Sequence, residues 1–163
     1  MVEVGLLRGL GRYLGFDVIE APGATGSLDT DLDAIARTTL AALETHEFVL
    51  CNIKGPDIAG HNGNPVEKVA MIERIDAMAG PLLQALRDKA IVTVLSDHAT
   101  PVTLRDHSGD PVPLLVWGPG VLPDWSEHYN ERAASGGGLG RFSGLHLVHV
   151  MTNLMNVQEK FGA

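Results

Sequence analysis

Two aspartates and three histidines stand where strand-like runs end. Asp57 and His61 follow residues 48–53, Asp97 and His98 close residues 91–96, and His107 comes nine residues after His98. Carboxylate oxygens and imidazole nitrogens form a mixed N/O set suited to Zn2+, Mn2+ or a similar ion. Asp57 and His61, four apart, can meet one ion on a single helical turn or across a tight loop at Gly60. Neighbours in a strand point to opposite faces, so Asp97 and His98 reach one centre only where the strand ends and the chain turns. The plainer alternative there is a solvated strand end with an aspartate opening a turn. Two ions about 4 Å apart would clamp a transferring phosphoryl or sulfuryl group, polarise its oxygens and activate a hydroxyl. The glycine-rich residues 136–141 offer a second feature, a backbone cradle for phosphate, although a surface loop is the commoner origin of such a run. His46 follows a helix end and suits the negative end of that dipole. His128 reads as solvated, and His146 and His149 as residues of a closing helix.

The elements that must position these groups alternate. Residues 4–14 read as a helix with Leu6, Leu7, Leu10 and Leu14 on one face. A short strand over 16–19 and a Pro/Gly turn over 21–27 follow. Residues 28–44 predict a helix capped by Ser27 or Asp29. The apolar run 48–53 predicts a strand buried on both faces, with Cys51 as a core residue. A loop carries Asp57 and His61. A helix over 66–87 is interrupted at Pro81, which predicts a kink or two helices. Strands over 91–96 and 112–117 flank the loop that carries His107, with Pro111 and Pro113 at the second strand's start. Residues 121–140 are irregular and 144–156 form the last helix. Strands alternating with helices predict an α/β fold with a mainly parallel sheet flanked by helices.

The 163 residues fit one domain, with 45% hydrophobic and 20% charged residues, enough for a core. The net charge of −8 argues against a nucleic-acid or anionic-membrane partner and suits a carboxylate-rich cation site. A single cysteine excludes an internal disulfide. There is no basic leader at the start and no apolar run of about 20 residues, so the cytoplasm is the expected location.

Several stretches together resemble one family. They are Ile53-Lys54-Gly55-Pro56-Asp57, Gly60-His61-Asn62-Gly63, Ser96-Asp97-His98-Ala99-Thr100-Pro101 and Asp106-His107-Ser108-Gly109-Asp110-Pro111-Val112-Pro113. They look like the archaeal type of cofactor-independent phosphoglycerate mutase, within the alkaline phosphatase superfamily. Arg8-Gly9-Leu10-Gly11-Arg12, Pro22-Gly23-Ala24-Thr25-Gly26, Gly137-Gly138-Leu139-Gly140-Arg141 and Asn153-Leu154-Met155 are similar to it as well. The resemblance implies a partial alkaline-phosphatase-like core. It implies one metal held by Asp57, His61 and His107, and a second held in part by Asp97 and His98. Two divalent ions are implied, Mn2+ first, with Zn2+, Mg2+ or Co2+ as alternatives. Lys54, Arg8, Arg12 and Arg141 are the residues expected to meet phosphoglycerate, whose 2- and 3-isomers the family interconverts.

The resemblance covers only the family's C-terminal portion. The early metal-binding aspartate, the serine nucleophile and most of the cap domain have no counterpart. Ser96 and Ser108, near the ligands, do not stand in the nucleophile's context. The chain is therefore expected to be the metal-binding portion of a mutase, without turnover by itself, and Met1 to Gly5 the tail of a strand or loop. A complementing N-terminal half is the expected partner, and an exposed sheet edge would favour self-association. The alternatives are a metal-dependent phosphatase or phosphotransferase of the same superfamily, and a metal-binding or interaction module that has lost catalysis.

Overall fold

The computed structural model describes residues 5–159. The expectations for Met1 to Val4, including a helix start at Val4, lie outside the described residues. Two compact units are present: residues up to Ala85 with Thr100–Ser108, and Leu86–Ala99 with the rest from Gly109.

The first unit is helical. It holds α1 (Gly5–Tyr13), α2 (Leu32–Leu43), α3 (Gly55–His61) and nearly all of α4 (Pro65–Leu86). Asp31, rather than Ser27 or Asp29, caps α2: its backbone is extended, and its Oδ1 accepts from the Ala34 N–H at 2.8 Å. Asp29 is occupied in the preceding turn, where its Oδ1 accepts from the Thr25 hydroxyl at 2.7 Å. Arg74 on α4 donates to the carbonyls of Leu28 and Thr30, at 2.5 and 2.9 Å, and so ties that turn to the helix.

The core forms where α2 meets α4. Met71, Ile75, Met78 and Leu82 recur at i, i+4, i+7 and i+11, one stripe of α4, and pack with Leu32, Ile35 and Ala21. Ile53, next to the Asp57 helix, packs on the same cluster. Helix α4 runs unbroken through Pro81, so the pattern is one helix and not two. The lost Pro81 N–H would have served Ala77, whose exposed position lets water take its place.

The second unit contains β1 (Val92–Leu95), β2 (Leu114–Trp117), α5 (Glu131–Ala134), a 3-10 turn (Gly144–His146) and α6 (Leu147–Leu154). The two strands pair antiparallel, with Val92 opposite Trp117 and Leu95 opposite Leu114. The Thr93 hydroxyl donates to Met151 Sδ at 2.6 Å and links β1 to α6.

This corrects the expected parallel sheet, since these two strands are the whole sheet among the described residues. A parallel pair needs a crossover, usually helical, and the chain returns from β1 to β2 through a loop without one. Residues 16–19 and 48–53 form no strand among the described residues. Apolar composition supplies a strand's buried faces but not the neighbouring ladder that defines it. Phe48 and Leu50 are 47% and 52% exposed, and Cys51 is exposed, not a core residue. Among the described residues no helix is long and apolar enough to cross a membrane.

Candidate metal centre

Helix α3 supplies Asp57 and His61 and replaces the expected loop. Pro56 lies in its first turn, where a missing N–H costs nothing and a fixed φ favours the helix. Residues i and i+4 share a helix face, so both side chains project together. The start of α3 sits against α4 so closely that a Cβ on Gly55 would lie 2.7 Å from Met71 Cε. At the helix's other end a Cβ on Gly60 would lie 2.5 Å from the Thr100 carbonyl oxygen. Glycine at that position lets the Thr100–Ser108 loop, with His107, close onto α3.

Three donor atoms converge. Asp57 Oδ1 is 3.4 Å from His61 Nε2 and 3.5 Å from His107 Nε2, and the two Nε2 atoms are 3.2 Å apart. Bonds of about 2.0–2.2 Å in a tetrahedral site place ligand atoms about 3.3–3.6 Å apart. The spacing of these donors fits one such ion with a fourth position left over. The side chain of Asp57 is 14% exposed, while both imidazoles are more open.

The surroundings set the charge of the site. Burial pushes the Asp57 carboxyl up, but hydrogen bonds from Lys54 and Thr100, with the charges of Lys54 and His61, bring it down to about 2. Lys54 Nζ lies 2.5 Å from Oδ2, and the Thr100 hydroxyl donates to Oδ1 at 2.6 Å. His61 Nδ1 is 3.0 Å from the Arg105 carbonyl oxygen. A carbonyl only accepts, so Nδ1 carries the proton, and the tautomer this favours is the one that offers the Nε2 lone pair to an ion.

Asp97 and His98 follow β1 in the second unit, with His98 Nε2 3.5 Å from Asp97 Oδ2. Lys54 is at Asp57. Arg8 is ion-paired with Glu20, Arg12 is in the last turn of α1, and Arg141 is exposed after Gly140. At the glycine-rich loop an internal carboxylate takes the backbone donor: Asp124 Oδ2 accepts from the Gly138 N–H at 2.6 Å. His46 Nδ1 meets the Ala42 carbonyl at the end of α2, in keeping with the dipole reading, and its Nε2 meets Asp17. Thr100 and Lys68, whose Nζ donates to the Thr100 carbonyl at 2.7 Å, were not singled out as site residues. The sequence signal for Thr100 was its place two residues after the Asp97-His98 pair, and for Lys68 there was none.

Comparison with known proteins places the chain. Residues 1–154 match the Metalloenzyme superfamily. The 2,3-bisphosphoglycerate-independent phosphoglycerate mutase of Thermococcus gammatolerans is 44% identical over all of this chain and 40% of its own length. The enzyme of the same name from Thermococcus kodakarensis is 43% identical, again over 40% of its length. In a solved structure, the PH0037 protein from Pyrococcus horikoshii superposes on 99% of this chain with a TM-score of 0.96 and 42% identity, over 49% of that chain. The chain thus spans about two fifths of these curated relatives and corresponds to their C-terminal part. Its architecture is a partial alkaline-phosphatase-like fold of helices with a two-stranded antiparallel sheet. With an Asp/His cluster of ligand spacing and a match that covers nearly its whole length, the chain belongs to the metalloenzyme superfamily.

Proposed function

We propose that the chain is the metal-binding portion of a phosphoglycerate mutase, with Asp57, His61 and His107 holding one divalent ion. The observation that carries this reading is the mutual 3.2–3.5 Å spacing of Asp57 Oδ1, His61 Nε2 and His107 Nε2. The names and identities of the relatives support the mutase assignment. When bound, the ion would act as a Lewis acid on a phosphoryl oxygen. Asp57 offers Oδ1 as an anionic ligand while Lys54 neutralises Oδ2. His61 is held in the ligating tautomer by Arg105.

A second divalent ion would take Asp97 and His98, and Mn2+ is the metal proposed for both positions. Lys54, Arg8, Arg12 and Arg141 are the residues proposed to meet phosphoglycerate. Arg8 would first have to leave Glu20. The nucleophile would come from a polypeptide equivalent to the relatives' remaining three fifths, and the cytoplasm is the proposed location.

The test titrates Mn2+ into the purified chain calorimetrically, then assays mutase turnover with and without that polypeptide. Binding that His107→Ala weakens at least about 100-fold is expected, because a lost ligand should exceed the roughly 10–100-fold effect of an outer-shell change. Turnover is expected only with the complement. Phosphate release from phosphoglycerate without isomerisation would favour a phosphatase of the same superfamily. Metal binding with no turnover under either condition would favour a non-catalytic module.

A further inference from the structure

We propose that Thr100 is a positioning residue that aims the Asp57 carboxylate at the two imidazoles, and that Lys68 on α4 holds Thr100 in place. The inference rests on the metal reading above. A buried threonine inside a helix can satisfy its hydroxyl on its own backbone, as Thr39 does by donating to the Ile35 carbonyl at 2.8 Å, but Thr100 lies outside any helix. Thr100, only 5% exposed, instead donates to Asp57 Oδ1, 43 residues away in sequence, at 2.6 Å. Its own carbonyl accepts from Lys68 Nζ at 2.7 Å, so the residue is held from its other side by a cation. Glycine at position 60 removes the side chain that would otherwise meet the Thr100 carbonyl oxygen and Cγ2, at 2.5 and 2.9 Å. Three elements thus contribute to the placement of one hydroxyl.

The consequence for Asp57 is orientation. A carboxylate turns over a broad range about its last torsion, and contacts to its two oxygens fix the angle. Lys54 holds Oδ2 and Thr100 holds Oδ1, the oxygen within 3.5 Å of both Nε2 atoms. The carboxylate is therefore set to bind through Oδ1 alone. Without the hydroxyl the carboxylate loses one of the two contacts that fix its angle, and neither oxygen is held in line with the two imidazoles.

The test measures Mn2+ affinity by calorimetry and the visible spectrum of the Co2+-loaded chain, whose bands report ligand geometry independently of turnover. Thr100→Val is expected to weaken Mn2+ binding by about 10–100-fold, the usual effect of removing an outer partner of a ligand, and to shift the Co2+ bands. Thr100→Ser, which keeps the hydroxyl, is expected to restore both, and Lys68→Met to fall between. Should circular dichroism show Thr100→Val unfolded, the smaller Thr100→Ala carries the same comparison. Affinity and bands unchanged in the valine or alanine variant, or serine no better than valine, would overturn the role of Thr100 and leave the metal reading intact. No binding by the unmodified chain, or undiminished binding by Asp57→Ala, would overturn both.

Discussion

Asp57 is held between opposing influences. Burial raises its carboxyl, and the hydrogen bonds from Lys54 and Thr100 with the nearby positive charge lower it further, to about 2. An unfolded aspartate titrates near about 3.9. A group depressed in the folded state stabilises it above the unfolded value and loses that contribution as pH falls through the folded one. The window here runs from about pH 4 or 5 down to about 2. In Lys54→Met the metal-free chain keeps the burial and loses the largest downward influence. The carboxyl resonance of Asp57 should then titrate at higher pH, and acid unfolding followed by circular dichroism should begin at higher pH. An unmoved Asp57 titration would show that Lys54 does not control this charge. Residue types made Asp57, His61 and His107 candidates in the sequence, because few side chains ligate metals, and the family resemblance grouped them. The partners Thr100 and Lys68 were not legible, because a threonine and a lysine have many ordinary uses and only their neighbours in space define this one.

Helix α3 is short, yet it sets the angle between Asp57 and His61. The sequence leaves helix and loop both open for this pair, with a loop as the expectation, although a proline at position 56 suits the first turn of a helix. The apolar run at 48–53 misled in the other direction. It has a strand's composition, but pairing depends on which other segment lies alongside, and local sequence does not encode that. Gly60 gives a test at this scale. Alanine there gains roughly 1 kcal/mol of helix propensity. It also places a Cβ 2.5 Å from a backbone oxygen. Overpacking typically costs about 1–3 kcal/mol, and backbone cannot step aside as a flexible side chain can. The steric cost should win, so Gly60→Ala should unfold at lower urea and bind Mn2+ more weakly. A variant as stable as the parent with undiminished affinity would mean that the loop has more room than the close approach implies.

At the scale of the molecule, the first unit buries one stripe of α4 against α2 and leaves apolar side chains exposed around positions 16 and 48–50. In the first unit Ile35 and Met71 are each 2% exposed, while Phe16, Phe48 and Leu50 remain about half exposed. Single exposed apolar side chains need no explanation. Phe16 and Phe48, however, lie with ring centroids 6.1 Å apart, and Leu50 is two residues further along. The chain also spans only about two fifths of its curated relatives. These observations favour this segment as a landing place for the complementing polypeptide proposed above. Aromatic side chains that become buried at the centre of an interface commonly contribute more than 1 kcal/mol each. The double variant Phe48→Ser with Leu50→Ser should therefore weaken association at least about tenfold, which corresponds to 1.4 kcal/mol. Mn2+ affinity at the Asp57 centre should stay unchanged, because neither side chain belongs to that site. Analytical ultracentrifugation of labelled chain against the complement measures the first quantity and calorimetry the second. Equal association by the double variant would move the landing place elsewhere. A parallel loss of metal binding would instead mean that the substitutions had disturbed the first unit's fold.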